Sequence, residues 1–138
     1  MKLYIHFIGS LVMAGILFPY YGLVSFLVFI GGFLIDIDHY FIYIRKFRSM
    51  DIRKAYHYFM DSNHLIHQGT FFVFHSTELL LLGIILSFRY DWALVISIGL
   101  LKHYILDLIY EMKTTGQMIK SWSFIVWIKK RSYITRNK

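Results

Sequence analysis

Three long apolar segments of this chain are interrupted by the same kinds of residue. They read GGFLIDIDH with Asp36, Asp38 and His39, GTFFVFHSTE with His75 and Glu78, and GLLKHYILD with His103 and Asp107. An ionisable group at the centre of a membrane helix costs about 2.5 to 3.5 kcal/mol on insertion scales, so such groups persist where a function or a partner holds them. Imidazole and carboxylate are also the side chains that ligate metal ions.

The chain has 138 residues, of which 57% are hydrophobic and 20% aromatic, more apolar than a soluble domain at about 45 to 50%. About 20 apolar residues cross a bilayer, and such windows lie at about 3–18, 22–44, 69–88 and 92–110. We expect an all-α integral membrane protein, a single domain built as a bundle of about four transmembrane helices. The first window is short enough for a signal peptide. However, Pro19-Tyr20-Tyr21 leads straight into the second window and no A-x-A site precedes it, so it reads as a span. After the fourth window, Met118, Ile119, Trp122, Ile125 and Val126 form a helical stripe in a segment too short to cross. An interfacial helix is therefore predicted over about 117–128.

Charge placement gives an orientation. Of the 15 Lys and Arg, Lys2 precedes the first span, and Arg45, Lys46, Arg48, Arg53 and Lys54 lie between the second and third. Lys113, Lys120, Lys129, Lys130, Arg131, Arg136 and Lys138 follow the fourth, whereas the opposite side carries only Arg89. Both termini and the 45–68 loop are expected in the cytoplasm. The formal net charge of +7 flanks spans on one side, which is the positive-inside pattern, so no nucleic-acid partner is expected. The chain has no Cys, so any metal must be held by nitrogen and oxygen donors.

At about 1.5 Å of rise per residue, Asp36, His75 and His103 all lie about 9 to 12 Å inside the cytoplasmic boundary. Asp36 with His39 and His75 with Glu78 are i,i+3 pairs, and His103 with Asp107 is i,i+4, so each pair shares a helix face. Bundles build metal sites in this way. Asp38, two positions after Asp36, points elsewhere on a regular helix, so a local opening or helix end at Ile37 is expected. Gly31 and Gly32 just before it permit close helix approach.

The ordered blocks Asp36-Ile37-Asp38-His39, His67-Gln68-Gly69-Thr70 with His75-Ser76, and Gly99 through His103 to Asp107 resemble the membrane-bound metal-dependent hydrolases of bacterial inner membranes. There is a more distant likeness to α-helical zinc-dependent phospholipases C. Gln68 stands where that family has Arg, and about 12 Å of helix would part His67 from His75. The resemblance implies a multi-pass protein of the bacterial cytoplasmic membrane and a hydrolase bearing a divalent metal.

The expected chemistry is metal-assisted hydrolysis of an ester or phosphoester. One or two divalent ions, zinc by the donor types, would be held among Asp36, Asp38, His39, His75, His103 and Asp107, with His67 a further candidate. Glu78 is a candidate general base, and Asp38 a second catalytic candidate. A site at this depth is reached by a membrane lipid entering sideways, so a phospholipid or polyprenyl phosphate is the expected substrate, its headgroup near Arg45, Lys46 and Lys102. Other classes use the same residues: a di-iron membrane oxidase or hydroxylase, a proton or metal-ion transporter, and an assembly factor in which they are interhelical glue. His6 reads as a packed histidine, His57 as an interfacial one, and His64 as part of a solvated turn.

Overall fold

A computed structural model describes residues 2–60, 71–116 and 123–129, apart from the side chain of Thr115. Every regular element among them is helical: α1 (Leu3–Tyr21), α2 (Val28–Gly32), α3 (Ile37–Phe47), α4 (Ile52–Met60), α5 (Thr77–Ser87) and α6 (Asp91–Thr115). Short 3-10 turns cover Gly22–Leu27, Leu34–Asp36 and Val73–His75. Two helical runs, Leu3–Phe47 and Asp91–Thr114, are long and apolar enough to cross a membrane, and α5 is a shorter apolar helix.

The first run doubles back on itself. Gly22 adopts φ 54° and ψ −134°, a conformation open to glycine because it has no Cβ. Beyond it the chain returns along α1, with Phe18 against Phe26, Ala14 clustered with Val28, and Phe7 against Phe29 and Phe33.

Helix geometry fails again at Phe33 (φ −139°, ψ −47°), directly after Gly31 and Gly32. The expected helix over 22–44 is thus four helical pieces, two 3-10 and two α, and the break lies four residues before Ile37. One consequence concerns the Gly32 carbonyl, because Asp36 N–H now donates to Phe33. The Gly32 oxygen, released from the helix ladder, accepts instead from Lys102 and His103 at 3.0 and 3.1 Å. Asp36 ends a 3-10 turn and Asp38 lies in the first turn of α3, and the two carboxylates approach different ring nitrogens of His75, Nε2 and Nδ1 respectively.

α2 and α6 pack backbone to backbone. A Cβ on Gly31 would strike the carbonyl of Ile96, and one on Gly99 would strike that of Val28. Small residues allow this approach, and it brings the Gly32 carbonyl onto the face of α6 that carries Lys102 and His103.

The third predicted span is helical only from Thr77, with Ser76 capping α5 by accepting from Leu79 N–H at 3.3 Å. Residues 71–76 form an extended segment and a 3-10 turn. α4 lies against α3 through Tyr43, Phe47 and Tyr58. It starts at Asp51, whose carboxylate accepts from Lys54 N–H at 3.0 Å, a bond that holds this carboxyl below its ordinary range. Residues 124–129 are helical, and residues 117–122 of the expected interfacial helix lie outside the described residues.

Polar residues share the interior with apolar clusters around Val28 and Leu100, and many large apolar side chains face outwards. His6, Ser10, Ser25, His75, His103 and Asp107 are buried, while Leu11, Ile16, Leu81 and Ile85 are exposed.

Candidate metal centre

The buried polar residues converge at one point between the 3-10 turn at Asp36, the turn at His75 and the middle of α6. His75 Nε2 and His103 Nε2 are 3.1 Å apart, and Asp36 Oδ1 lies 3.3 Å from the first and 3.4 Å from the second. Asp107 Oδ2 lies 3.9 and 3.7 Å from the same two nitrogens.

Protonation follows from the outer bonds. His75 Nδ1 is 3.0 Å from Asp38 Oδ2, and His103 Nδ1 is 3.1 Å from the Gly32 carbonyl. An ionised carboxylate and a carbonyl only accept, so both Nδ1 atoms carry the proton and donate it. In the neutral rings, each Nε2 then presents a lone pair towards the other and towards two carboxylate oxygens. Histidines that ligate metals are oriented by this kind of bond from the second ring nitrogen to a carboxylate or carbonyl.

The donor set fits a small divalent ion. Ligands about 2.0 to 2.1 Å from zinc at tetrahedral angles stand about 3.3 to 3.4 Å apart. The edges of the His75, His103 and Asp36 triangle match that spacing, and those to Asp107 are slightly longer. Charge agrees, because the carboxylates of Asp36, Asp38 and Asp107 gather around two histidines, and Glu111, one turn beyond Asp107, is a further buried carboxylate, while the Lys102 ammonium bonds to neutral acceptors. A divalent ion offsets such an excess of negative charge, and buried charge is costly unless compensated.

Asp38 is the structural hub behind the donors. Its carboxylate accepts from His75, from His39 Nδ1 at 2.8 Å and from Phe74 N–H at 3.3 Å. His39 stands at the rim, 3.7 Å from Asp36 Oδ1, with its ring stacked on Phe72. The side chains of Asp36 and His39 retain 19% and 15% of their exposure while that of His103 retains none, so the centre opens on the Asp36 side.

Other predicted residues are placed elsewhere. Glu78 accepts from Ser123 Oγ at 2.6 Å and from Phe124 N–H at 3.2 Å, so it caps the 124–129 helix. Lys102 donates to the carbonyls of His6 and Gly32 and to Ser10 Oγ, at 3.0, 3.0 and 2.8 Å, which clamps α1 to α2 with neutral acceptors. Arg45 and Lys46 are exposed on the last turn of α3, and Lys46 donates to Tyr58 OH at 2.7 Å. His57 is exposed on α4, and His64 and His67 lie outside the described residues.

Several participants escaped the sequence reading. His6 is fully buried, stacks on His103 with ring centroids 3.8 Å apart, and places Nε2 3.2 Å from Asp107 Oδ1. Tyr104 is buried and donates to the carbonyls of Phe74 and Ser76 at 3.0 and 2.8 Å, which pins the turn carrying His75. The i,i+4 pair His6 and Ser10 in an otherwise apolar helix was the available signal for α1. Nothing in the sequence marks Tyr104 apart from its place beside His103.

Comparison of the chain with known protein families, with curated proteins and with solved structures gives no match.

Proposed function

We propose that this protein is a membrane-embedded, metal-dependent hydrolase of a lipid phosphoester or ester. The observation that carries this reading is the convergence of His75 Nε2, His103 Nε2 and Asp36 Oδ1 at 3.1 to 3.4 Å, with both Nδ1 atoms already donating. Apolar residues outside and ionisable ones inside suit a chain surrounded by hydrocarbon. In this reading the chain crosses the bacterial cytoplasmic membrane in about four segments, with both termini and the centre on the cytoplasmic side.

His75, His103 and Asp36 would hold a divalent ion, zinc in this proposal, which when bound would polarise a phosphoryl or carbonyl oxygen and lower the pKa of water towards about 7. Asp107, whose other oxygen is fixed by His6 at 3.2 Å, takes the proton of the attacking water. Water oxygen bonds to the reacting phosphorus or carbon, the ester bond to the departing alcohol breaks, and the proton passes through Asp107 to that alcohol. Asp38 keeps His75 in the required tautomer and orientation. Glu78, engaged as a helix cap, takes no part.

The test is release of headgroup or alcohol from a panel of lipid phosphates and esters by purified protein. Activity should be lost on chelation, restored by zinc, and absent in Asp36→Asn. Iron with oxygen uptake in its place would make the site an oxidase, since two histidines and a carboxylate also hold ferrous iron.

A further inference from the structure

An apolar groove of about 400 Å³ runs along the side of the molecule next to the metal centre. Ile30 and Leu34 form one wall, Leu79 and Leu82 of α5 the other, and Ala93 and Ile96 of α6 the floor. Its volume falls within the about 300 to 1,000 Å³ typical of small-ligand sites. From Leu79 to Leu86 it follows α5 for about 10 Å, and it ends at Trp92.

The groove adjoins the segments that carry the centre. Ile35 and Ile37, which flank Asp36 in the chain, line it, as does Phe74, which precedes His75, whereas Asp36, His75 and His103 do not. The turn carrying Asp36 also packs against the turn carrying His75. A molecule seated here has hydrocarbon contacts along its length and meets ionic groups only beyond the groove, at the turns that carry Asp36 and His75. A lipid has this distribution of polarity.

We propose that the groove is a tail site holding one hydrocarbon chain of the lipid whose headgroup lies at the Asp36, His75 and His103 cluster. The proposal rests on the lipid hydrolase reading, because a tail site has a purpose only beside a headgroup site. The tail is bound by burial of apolar surface, at about 25 cal/mol per Å² removed from its surroundings in water and less from a bilayer.

Photolabelling of the full chain in detergent tests this. The probe is a phosphatidic acid with a diazirine midway along one acyl chain, and adducts are mapped by peptide mass spectrometry. Leu34 and Leu82, exposed at 49% and 52%, lie in the groove, while Leu11 and Ile105, at 52% and 48%, lie outside it. Labelling at Leu34 and Leu82 several-fold above that at Leu11 and Ile105, and suppressed by excess unlabelled lipid, is expected. Even labelling of all four would overturn the tail site and leave only an annular lipid layer. The chain has no native Cys, so disulfide-linked dimers of a Leu82→Cys variant would equally overturn it, by giving the groove to a second copy. Zinc content measured on the same preparation separates the two readings. Stoichiometric zinc with even labelling removes the tail site alone, and absence of zinc removes the hydrolase reading whatever the labelling.

Discussion

His75 and His103 face each other with their Nε2 atoms 3.1 Å apart, and each has its other ring nitrogen bound to a group that only accepts. Two imidazole lone pairs at that distance, with carboxylate oxygens beside them, repel unless a proton or a metal cation lies among them. The arrangement therefore predicts that metal and fold stabilise each other. Zinc added to metal-free protein should raise the Tm, by about 2.7 kcal/mol of stability at a free concentration 100 times the Kd. A Tm indifferent to zinc, manganese and iron would count against the centre.

Asp38 holds His75 without belonging to the close triangle. Asp38→Asn keeps the shape but exchanges an anionic acceptor for an amide, and such outer partners are worth about 10- to 100-fold in metal affinity. Titration against a chelator of known strength should show a loss of that size, with the stoichiometry unchanged at saturation.

Lys102 supplies the buried positive charge, and its three donors satisfy two carbonyls and a hydroxyl. In Lys102→Met the Gly32 carbonyl keeps its bond from His103, while the His6 carbonyl and Ser10 Oγ lose this donor, at about 1 to 3 kcal/mol for each buried group left unsatisfied. The excess negative charge also grows by one. The metal-free form should lose more stability than the loaded form, so the zinc-dependent rise in Tm becomes larger than in the wild type. An equal fall in both forms would show that Lys102 is a clamp with no electrostatic share in the centre.

Gly99 decides how closely α2 and α6 approach. Its added Cβ would meet the Val28 carbonyl, part of a backbone that cannot rotate away. Gly99→Ala should cost about 1 to 3 kcal/mol as overpacking. It should also weaken metal binding, because the Gly32 carbonyl that orients His103 moves with α2. Measured Tm and zinc affinity are expected to fall together, and a change in neither would show that the helices are not in contact.

Much of this site could be anticipated from periodicity and depth. Rise per residue alone puts Asp36, His75 and His103 at one level, and the i,i+4 spacing puts Asp107 beneath His103. What spacing cannot supply is rotation and backbone direction. Asp36 and Asp38 both reach His75 because its ring offers them different nitrogens, Nε2 and Nδ1, and the Gly32 carbonyl becomes a ligand-orienting group because the helix breaks at Phe33. A helical reading of 69–88 joined His75 to Glu78, whereas the turn before Ser76 sends His75 inwards and leaves Glu78 to cap the 124–129 helix. His6 enters only because the turn at Gly22 lays α1 alongside α6.

Glu78 provides a contrast with the donors. Glu78→Gln should leave zinc stoichiometry and affinity unchanged while speeding hydrogen exchange at the amides of Phe124 and Ile125, which now bond to its carboxylate at 3.2 and 3.5 Å. Loss of activity with normal exchange would restore it as a base.

Whether His103 and its neighbours hold a divalent ion is settled by elemental analysis of detergent-purified protein, comparing the wild type with a His103→Ala variant shown by circular dichroism to keep its helices. One zinc or other divalent ion per wild-type chain and none in the variant is expected. Wild-type protein that stays metal-free after reconstitution with zinc, manganese and iron would contradict it, and would leave the cluster as polar glue or a proton path.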